Sequence, residues 1–330
     1  MKLKLALIYD KNDRKLTEAS YSQCYRNQWL ALIDEFEEVQ HIHSNCSAKD
    51  IEADVIIFYD VHSTHHIIID GIRKHKAIKY EYMNDPHQTE WFGIYTTTGQ
   101  RFLKLGVGGR VNRIYDREID FIICPSQEQF YKFFSPYLSD SEIEKKLVYF
   151  PMTSKVVDFN PDLRMRERKV LANGCLWSYP WFACYDFRQW AYQQSNVEFV
   201  EHFVKDNSTP FGKEYLRFLS KYAGALALCD KYVCPKYLEI PAAGCVCFAQ
   251  WRKEYEDMGF KDYESCIYVD KKTFSSRIRD FYNSMETGKR IDEYQKIADA
   301  GRKLIQDNYT PQCFAKFIRK HIEMKIGDRT

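Results

Sequence analysis

The sequence predicts an α/β protein made of two parallel-sheet domains, and three observations support this fold class. Short apolar segments of strand length alternate with longer amphipathic segments, beginning with residues 2–9, 20–36 and 53–59. The alternation stops at a polar, charge-dense stretch and then resumes in the second half of the chain. The chain has 330 residues, which is enough for two domains that each bury a hydrophobic core. A strand–helix–strand rhythm of this kind is typical of parallel sheets with helices on their faces.

The first series of elements predicts an N-terminal domain over residues 1–152. In chain order, the predicted elements are a strand at 2–9, a helix at 20–36, a strand at 53–59, a helix near 67–74, strands at 77–83 and 119–124, a helix at 127–137 and a strand at 147–152. Pro151 lies at the end of this series. The polar stretch 153–168 that follows it is the predicted linker.

The second series predicts a C-terminal domain over residues 169–310. Its predicted elements are strands at 169–172, 197–203, 224–228, 246–249 and 266–269, a helix at 213–222 and a helix in which Phe274, Ile278, Phe281, Tyr282 and Met285 fall at helical spacing. The basic amphipathic segment 314–325 predicts a last helix within residues 311–330. We expect this helix to pack back onto the N-terminal domain, and contact with a membrane surface is the alternative.

Composition and charge argue against several classes of protein. Aromatic residues make up 16% of the chain and charged residues 28%, which indicates a folded protein. The net charge is only +2, so we do not expect nucleic acid as a partner. No apolar run approaches the roughly 20 residues of a membrane helix, so any membrane contact should be peripheral. The eleven cysteines show no CxxC spacing, and we expect reduced thiols and a cytoplasmic location.

The segment 234–250, CPKYLEIPAAGCVCFAQ, carries the strongest functional signal. Pro235 suits the first turn of a helix and Gly244 suits its end, so Lys236 and Glu239 should share one face of a short helix. Lysine can supply a cation for a diphosphate, and glutamate can accept both hydroxyl protons of a ribose. This residue pair therefore predicts nucleotide binding. The same spacing is also common in surface ion pairs, which is the alternative interpretation.

The pattern around this pair resembles the C-terminal half of GT-B glycosyltransferases. The residues KYLEIPAAG are followed by an apolar strand, by GFKD at 259–262, by IYVD at 267–270 and by an amphipathic helix. The similarity is to group 1 transferases related to the spore-coat protein CgeB, over roughly residues 165–310. It implies that Glu239 holds the nucleotide ribose and that Lys236 faces the phosphates. Many retaining members have a glutamate where this chain has Lys231, so an inverting mechanism is favoured.

A second segment, ANGCLWSYPWFACYDFR at 172–188, resembles a donor-binding loop of the same family. The resemblance implies donor contacts by Gly174 and Tyr179, because a glycine at a strand end lets the backbone approach phosphate oxygens closely. The family has an arginine three residues after the tyrosine, where this chain has Phe182, and we expect Arg188 to take its place. An ordinary turn with an aromatic cluster is the alternative.

Polar side chains follow two strands of the predicted N-terminal sheet. They are Asp60, His62, His65 and His66 after one strand, and Asp85 and His87 after the next. The carboxyl ends of parallel strands meet at one edge of a sheet, so a base for an acceptor hydroxyl is expected here. The layout AIKYEYMNDPHQ loosely resembles the DNA β-glucosyltransferase of phages, which implies Asp85 as the base, with His62 second. A strand-end aspartate is also a frequent helix cap.

The resemblance implies a GT-B fold, with two Rossmann-like parallel-sheet domains facing across a cleft. The expected reaction moves a sugar from a nucleoside-diphosphate sugar, with UDP or GDP, to a hydroxyl of a glycan or surface polysaccharide, by inversion and without a bound metal or other cofactor. One alternative is a metal-dependent hydrolase that uses Asp60, His62, His65, Asp85 and His87. The other is a protein that binds a nucleotide sugar without catalysis.

Overall fold

The computed structural model describes residues 2–18, 20, 22–59, 67–84, 86, 109–174, 176, 183–194, 197–200 and 212–329. The chain divides into two compact units. Unit 1 comprises Met1–Thr17, Gln28–Pro151 and Phe314–Thr330, and unit 2 comprises Glu18–Asn27 and Met152–Cys313. Each unit has helices and a parallel sheet, so the predicted α/β class is confirmed. Residues 18–27 come early in the chain but belong to the C-terminal unit.

Unit 1 is built on a six-stranded parallel sheet with the strand order β2-β1-β4-β6-β7-β8. The strands of this unit are β1 (Lys4–Ile8), β2 (Glu38–Ile42), β3 (Cys46–Ser47), β4 (Val55–Phe58), β5 (Ile69–Asp70), β6 (Ile78–Tyr82), β7 (Phe121–Cys124) and β8 (Leu147–Tyr149). Strands β3 and β5 form a small parallel pair of their own. Every residue of β4 and β6 is buried, as expected for inner strands of a sheet covered on both faces.

Unit 2 is built on a five-stranded parallel sheet with the order β10-β9-β11-β12-β13. Its strands are β9 (Glu167–Asn173), β10 (Glu198–Val200), β11 (Tyr222–Ala227), β12 (Val246–Gln250) and β13 (Ile267–Val269). The core of this unit packs aliphatic strand residues against aromatic helix residues, with Val170, Phe248 and Phe281 near its centre. A ring contact of 5.2 Å between centroids joins Phe248 to Phe281.

Helices flank both sheets. In chain order they are α1 (Cys24–Glu35), α2 (Gly109–Asp116), α3 (Gln127–Phe134), α4 (Asp140–Lys146), α5 (Asp186–Ala191), α6 (Tyr215–Leu219), α7 (Lys236–Ala242), α8 (Lys253–Asp257), α9 (Phe274–Thr287), α10 (Ile291–Asn308) and α11 (Pro311–Gly327). In the part of the chain that the structure describes, none of these is both long and apolar enough to cross a bilayer.

Several elements differ from the sequence prediction, which also did not include helices such as α4 and α10. Residues 67–74, predicted as helix, form strand β5 and a single 3-10 turn at Ile72–Lys74, because Gly71 adopts a left-handed conformation with φ of 80° between them. Strand β2 was not predicted because it lies at a sheet edge and its residues are mostly polar or exposed. The helix predicted at 213–222 ends at Leu219, since Tyr222 already begins strand β11.

The last helix packs within unit 1 through its apolar face. Phe314, Ile318 and Ile322 are buried along α11, one helical turn apart. Phe314 contacts the Tyr82 ring edge-on at 6.3 Å. The Nδ1 atom of His321 lies 2.9 Å from the hydroxyl of Tyr80. These contacts hold the end of the chain against strand β6.

Candidate functional site

The candidate site of unit 2 lies at the carboxyl end of strand β9. This strand ends at Asn173, and helix α7 begins nearby at Lys236. Strand β9 pairs directly with β11, and α7 follows β11 in the chain. After strand β11, the chain therefore comes back beside the carboxyl end of strand β9, where α7 begins. In open parallel sheets, ligands bind beyond the carboxyl ends of the strands.

Helix α7 has a defined start and a defined stop. Pro235 precedes its first residue, and Gly244 follows its cap with φ of 69°. The amides of Gly244 and Cys245 donate to the carbonyls of Pro241 and Ile240, which is the hydrogen-bond pattern of a Schellman stop. Pro241 lies inside the helix and cannot donate to the carbonyl four residues earlier. The hydroxyl of Tyr255 donates to that carbonyl, on Tyr237, at 2.9 Å. The helix thus holds Lys236 and Glu239 one turn apart.

The ammonium of Lys236 is held by two polar residues. It donates to Oδ1 of Asn173 at 3.3 Å and to the hydroxyl of Tyr215. Tyr215 donates in turn to the same Asn173 oxygen at 3.1 Å. Burial, followed by the nearby charge of Glu239, raises the pKa of Tyr215 well above its ordinary value, so this phenol remains protonated. The network aims the lysine at the end of strand β9.

The protonation of Lys236 is sensitive to its surroundings. Burial lowers the pKa of this ammonium to about 8; the charge of Glu239 raises it and that of Arg188 lowers it further. Glu239 lies one helical turn away from this ammonium, and its carboxylate accepts a hydrogen bond from Ser22. An anion that reached Lys236 would favour its charged form. The site is therefore prepared to accept negative charge.

Gly174 follows strand β9 and has φ of 135°, a conformation that favours glycine. A Cβ atom at this position would lie 2.7 Å from Cε of Lys236 and 3.6 Å from Nη1 of Arg188. The predicted donor residues Gly174, Lys236 and Arg188 are thus brought together. The absence of a side chain at Gly174 lets two cationic side chains lie close to its backbone.

Arg188 lies on helix α5 and is only 2% exposed. Its Nε donates to the carbonyl of Leu228 at 2.8 Å, and its Nη2 donates to the same oxygen. The guanidinium also lies 3.7 Å from the centre of the Tyr185 ring. These contacts hold a permanent positive charge next to the end of strand β11. The Nη1 atom is the guanidinium atom that lies near Gly174.

Glu239 is 6% exposed, so it is not half of a surface ion pair. Its Oε1 atom accepts a hydrogen bond of 2.9 Å from the hydroxyl of Ser22, a residue of the early segment that belongs to unit 2. A pocket of about 130 Å³ opens beside this carboxylate, lined by Gln23, Asn27, Ser154, Tyr215 and Glu239 among others. A carboxylate, a cation and a glycine backbone can together bind a ligand that carries both a diol and an anionic group.

The acidic residues of the GFKD and IYVD segments have structural roles. Asp262 forms an ion pair with Arg277, with Nη1–O distances of 2.8 and 2.9 Å, and accepts the amide of Tyr268. The Oδ1 atom of Asp270 accepts the amides of Lys272 and Thr273 just before helix α9. These contacts support strand β13 and the start of α9, and they do not reach the Lys236 site.

Several residues of this site were not predicted from the sequence. Ser22 and Tyr215 belong to no motif with a readable spacing. Asn173 lies within the segment 172–188, directly before Gly174, but no role was predicted for it from the sequence. Of the predicted site residues, Tyr179, Asp85 and His62 lie outside the described residues, as do Asp60, His65, His66 and His87.

The metal-site alternative depends on residues that the structure does not describe. Within the described ranges, no group of three or more His, Cys, Asp or Glu side chains is arranged to hold a metal ion. The cluster from Asp60 to His66, with Asp85 and His87, falls in the gaps between those ranges.

Solved structures similar to this chain are GT-B glycosyltransferases. An α-glucosyltransferase solved with UDP-glucose and DNA containing an abasic site superposes with a TM-score of 0.58 at 10% identity, over 97% of this chain and 99% of the other. The chain has the GT-B fold. The same enzyme with UDP and a 13-mer DNA containing an A:G mismatch gives a TM-score of 0.57 at 12% identity, over 98% and 99% of the two chains. HepE from Anabaena, with UDP and glucose, gives 0.55 at 8% identity, over 97% and 100%.

The GT-B prediction is thus confirmed for the fold. No protein-family model and no curated protein sequence matches the chain. The resemblance to CgeB-related transferases and to the phage DNA β-glucosyltransferase stays a prediction. In this chain, Lys236 and Glu239 lie in unit 2, on the helix that follows strand β11.

Proposed function

We propose that this protein is a glycosyltransferase that moves a sugar from a UDP-sugar to an acceptor hydroxyl. The observation that carries the proposal is the position of Lys236 and Glu239 on one short helix, with Gly174 beside the lysine. This arrangement offers a cation to a diphosphate and a carboxylate to a ribose. The proposal of uridine as the base is supported by similar structures that contain UDP or UDP-glucose.

The leaving group of the proposed reaction is a nucleoside diphosphate, on which negative charge grows as the sugar departs. Lys236 and Arg188 would offset this charge, a contribution that is often large in group transfer. Gly174 would let the phosphate oxygens approach the backbone at the end of β9. Glu239 would accept the ribose hydroxyls. Tyr179 is assigned to the same donor site by the family resemblance.

The acceptor side is proposed from the sequence. Asp85, with His62 as second choice, would remove the proton of the acceptor hydroxyl as that oxygen attacks the anomeric carbon. A single displacement of this kind inverts the anomeric configuration. A glycan or surface polysaccharide is the proposed acceptor. The reaction would proceed without a bound metal, because the two basic side chains supply the positive charge.

The proposal is tested by UDP release from a panel of UDP-sugars in the presence of glycan acceptors, with and without EDTA. We expect turnover with one UDP-sugar, and we expect EDTA not to change it. The Asp85→Asn variant should lose turnover while it retains UDP binding. Thermal-shift measurements with UDP, GDP, CDP and TDP identify the base, because a ligand stabilises the native state that binds it. A NMR spectrum of the product gives the anomeric configuration.

Two outcomes would overturn the proposal. Absence of stabilisation by every nucleotide, together with a fall in melting temperature on EDTA treatment, would favour the metal-site reading around His62, His65 and Asp85. Nucleotide binding at Glu239 without turnover of any UDP-sugar would favour a protein that binds the nucleotide sugar without transferring it.

A further inference from the structure

The buried carboxylate of Glu239 is bonded by a side chain from the opposite end of the sequence. The hydroxyl of Ser22 donates to its Oε1 atom at 2.9 Å, and the two residues are 217 positions apart. Ser22 is 2% exposed. A hydrogen bond to a buried carboxylate is charge-assisted and is stronger than a bond between neutral groups.

The direction of this hydrogen bond is fixed by the neighbours of Ser22. The amide of Cys24 donates to Oγ of Ser22 at 3.4 Å, so one acceptor position of that oxygen is used. A serine hydroxyl has a single proton to donate, and that proton goes to Glu239. The hydroxyl of Ser20 donates to the carbonyl of Ser22 at 2.8 Å, which holds the backbone of Ser22 in place.

The segment around Ser22 is anchored in unit 2 at two further points. The amide of Thr153 donates to Sγ of Cys24 at 3.2 Å. On the other side, the carbonyl of Glu18 lies so close to Gly212 that a Cβ atom there would collide with it, and Gly212 has φ of 61°. The described residues between 18 and 27 therefore form one wall of the pocket beside Glu239, to which they contribute Gln23 and Asn27.

We propose that Ser22 is a positioning residue that orients the carboxylate of Glu239 toward the ribose of the donor nucleotide. This inference rests on the proposed function, since it assigns the Glu239 carboxylate to the ribose. A carboxylate offers about four acceptor positions. Ser22 occupies one of them, and this hydrogen bond would restrict the orientation of the carboxylate as it accepts the vicinal hydroxyls of the ribose.

The test compares UDP with 2′,3′-dideoxyuridine diphosphate, which lacks both hydroxyls that Glu239 would accept. Dissociation constants for both ligands are measured by calorimetry with the full chain and with Ser22→Ala and Ser22→Cys. We expect each variant to weaken UDP binding by about tenfold, the size expected for loss of one hydrogen bond to a charged group. Binding of the dideoxy ligand should change by less than about twofold, because this ligand has no ribose hydroxyl that could donate a hydrogen bond to the carboxylate.

Two controls separate orientation from general stability. Ser22→Thr keeps the hydroxyl and should retain the wild-type preference for UDP over the dideoxy ligand. Ser220→Ala removes another buried serine hydroxyl of unit 2, one that donates to the carbonyl of Arg217, and should leave both dissociation constants unchanged. Ser22→Cys is of nearly the same size as serine and keeps the experiment decisive where the alanine variant does not fold.

Each remaining outcome contradicts a specific statement. Equal losses of affinity for both ligands in Ser22→Ala and Ser22→Cys would show that Ser22 supports the pocket without orienting Glu239. Wild-type affinity for UDP in both variants would also overturn the inference. A wild-type protein that binds UDP and the dideoxy ligand equally would instead remove the ribose role of Glu239, and the proposed donor site would fail before any Ser22 variant is compared.

Discussion

The Cε atom of Lys236 lies 2.7 Å from the point where a Cβ atom of residue 174 would be. The lysine side chain therefore occupies space that is open only because residue 174 is glycine. The same glycine has φ of 135°. Position 174 therefore favours glycine both for its backbone conformation and for its lack of a side chain. This contact joins the two sequence segments from which the donor site was predicted.

The Gly174→Ala variant should lose both donor affinity and stability. The new methyl group would displace the end of the flexible Lys236 side chain, and the positive φ would add a backbone strain of about 1 to 2 kcal/mol. We expect UDP binding to weaken by tenfold or more, since ~1.4 kcal/mol of lost phosphate contact corresponds to a factor of ten. Calorimetry with UDP measures the affinity, and thermal unfolding measures the stability.

The matched control for this variant is Gly288→Ala, because Gly288 also has a positive φ of 72° but has no atoms within 4 Å of the added Cβ atom. It lies after helix α9, away from Lys236. It should lower the melting temperature by a similar strain and leave UDP affinity intact. A loss of affinity in Gly288→Ala equal to that in Gly174→Ala would mean that strain alone, and not the contact with Lys236, weakens binding.

Donor binding should depend on pH through Lys236. Burial lowers the pKa of its ammonium to about 8, so the free protein loses this positive charge as the pH rises from 7 to 9. The diphosphate binds the charged form, and the affinity for UDP should fall by about tenfold over this range, as one pKa unit corresponds to a factor of ten. The measurement is the dissociation constant of UDP at pH 7, 8 and 9.

Lys236→Arg provides the comparison, because a guanidinium keeps its charge throughout this pH range. Its affinity for UDP at pH 7 should be weaker because the geometry is altered, but that affinity should not depend on pH between 7 and 9. An equally steep fall in the wild type and in Lys236→Arg would assign the titration to another group.

Arg188 should contribute to stability as well as to the charge of the site. Arg188→Met removes two hydrogen bonds to the Leu228 carbonyl and leaves that carbonyl without these donors in a buried position. The expected loss is about 2 to 3 kcal/mol in the free energy of unfolding. Arg168→Met, at an exposed position of strand β9, should change it by less than about 0.5 kcal/mol. Urea denaturation monitored by fluorescence compares them, and equal stabilities would contradict the assigned role.

Much of the fold could be predicted because the inner strands carry closely spaced apolar residues and the longer helices have an apolar face. Strands β4, β6, β9 and β11 were placed within a few residues of their bounds for this reason. Strand β2 was not, since an edge strand can expose polar side chains such as Glu38 and His41. Gly71 ended a predicted helix through a conformation that composition alone does not specify.

The site was predictable only where its residues share a segment. Lys236 and Glu239 are separated by three positions, so their common face follows from helical periodicity. Ser22 and Glu239 are separated by 217 positions, and no local pattern connects them. The assignment of residues 18–27 to unit 2 depends on tertiary packing, as does the bond from Tyr215 to Asn173.

The central claim is that Glu239 binds the ribose of a uridine nucleotide, and titration of UDP into the wild-type protein and Glu239→Ala tests it most directly. Glu256→Ala, at an exposed position of helix α8 in the same unit, is the control. We predict saturable binding by the wild type and by Glu256→Ala, with a loss of at least about thirtyfold in Glu239→Ala, about 2 kcal/mol. Unchanged UDP affinity in Glu239→Ala, with the protein folded, would contradict the account.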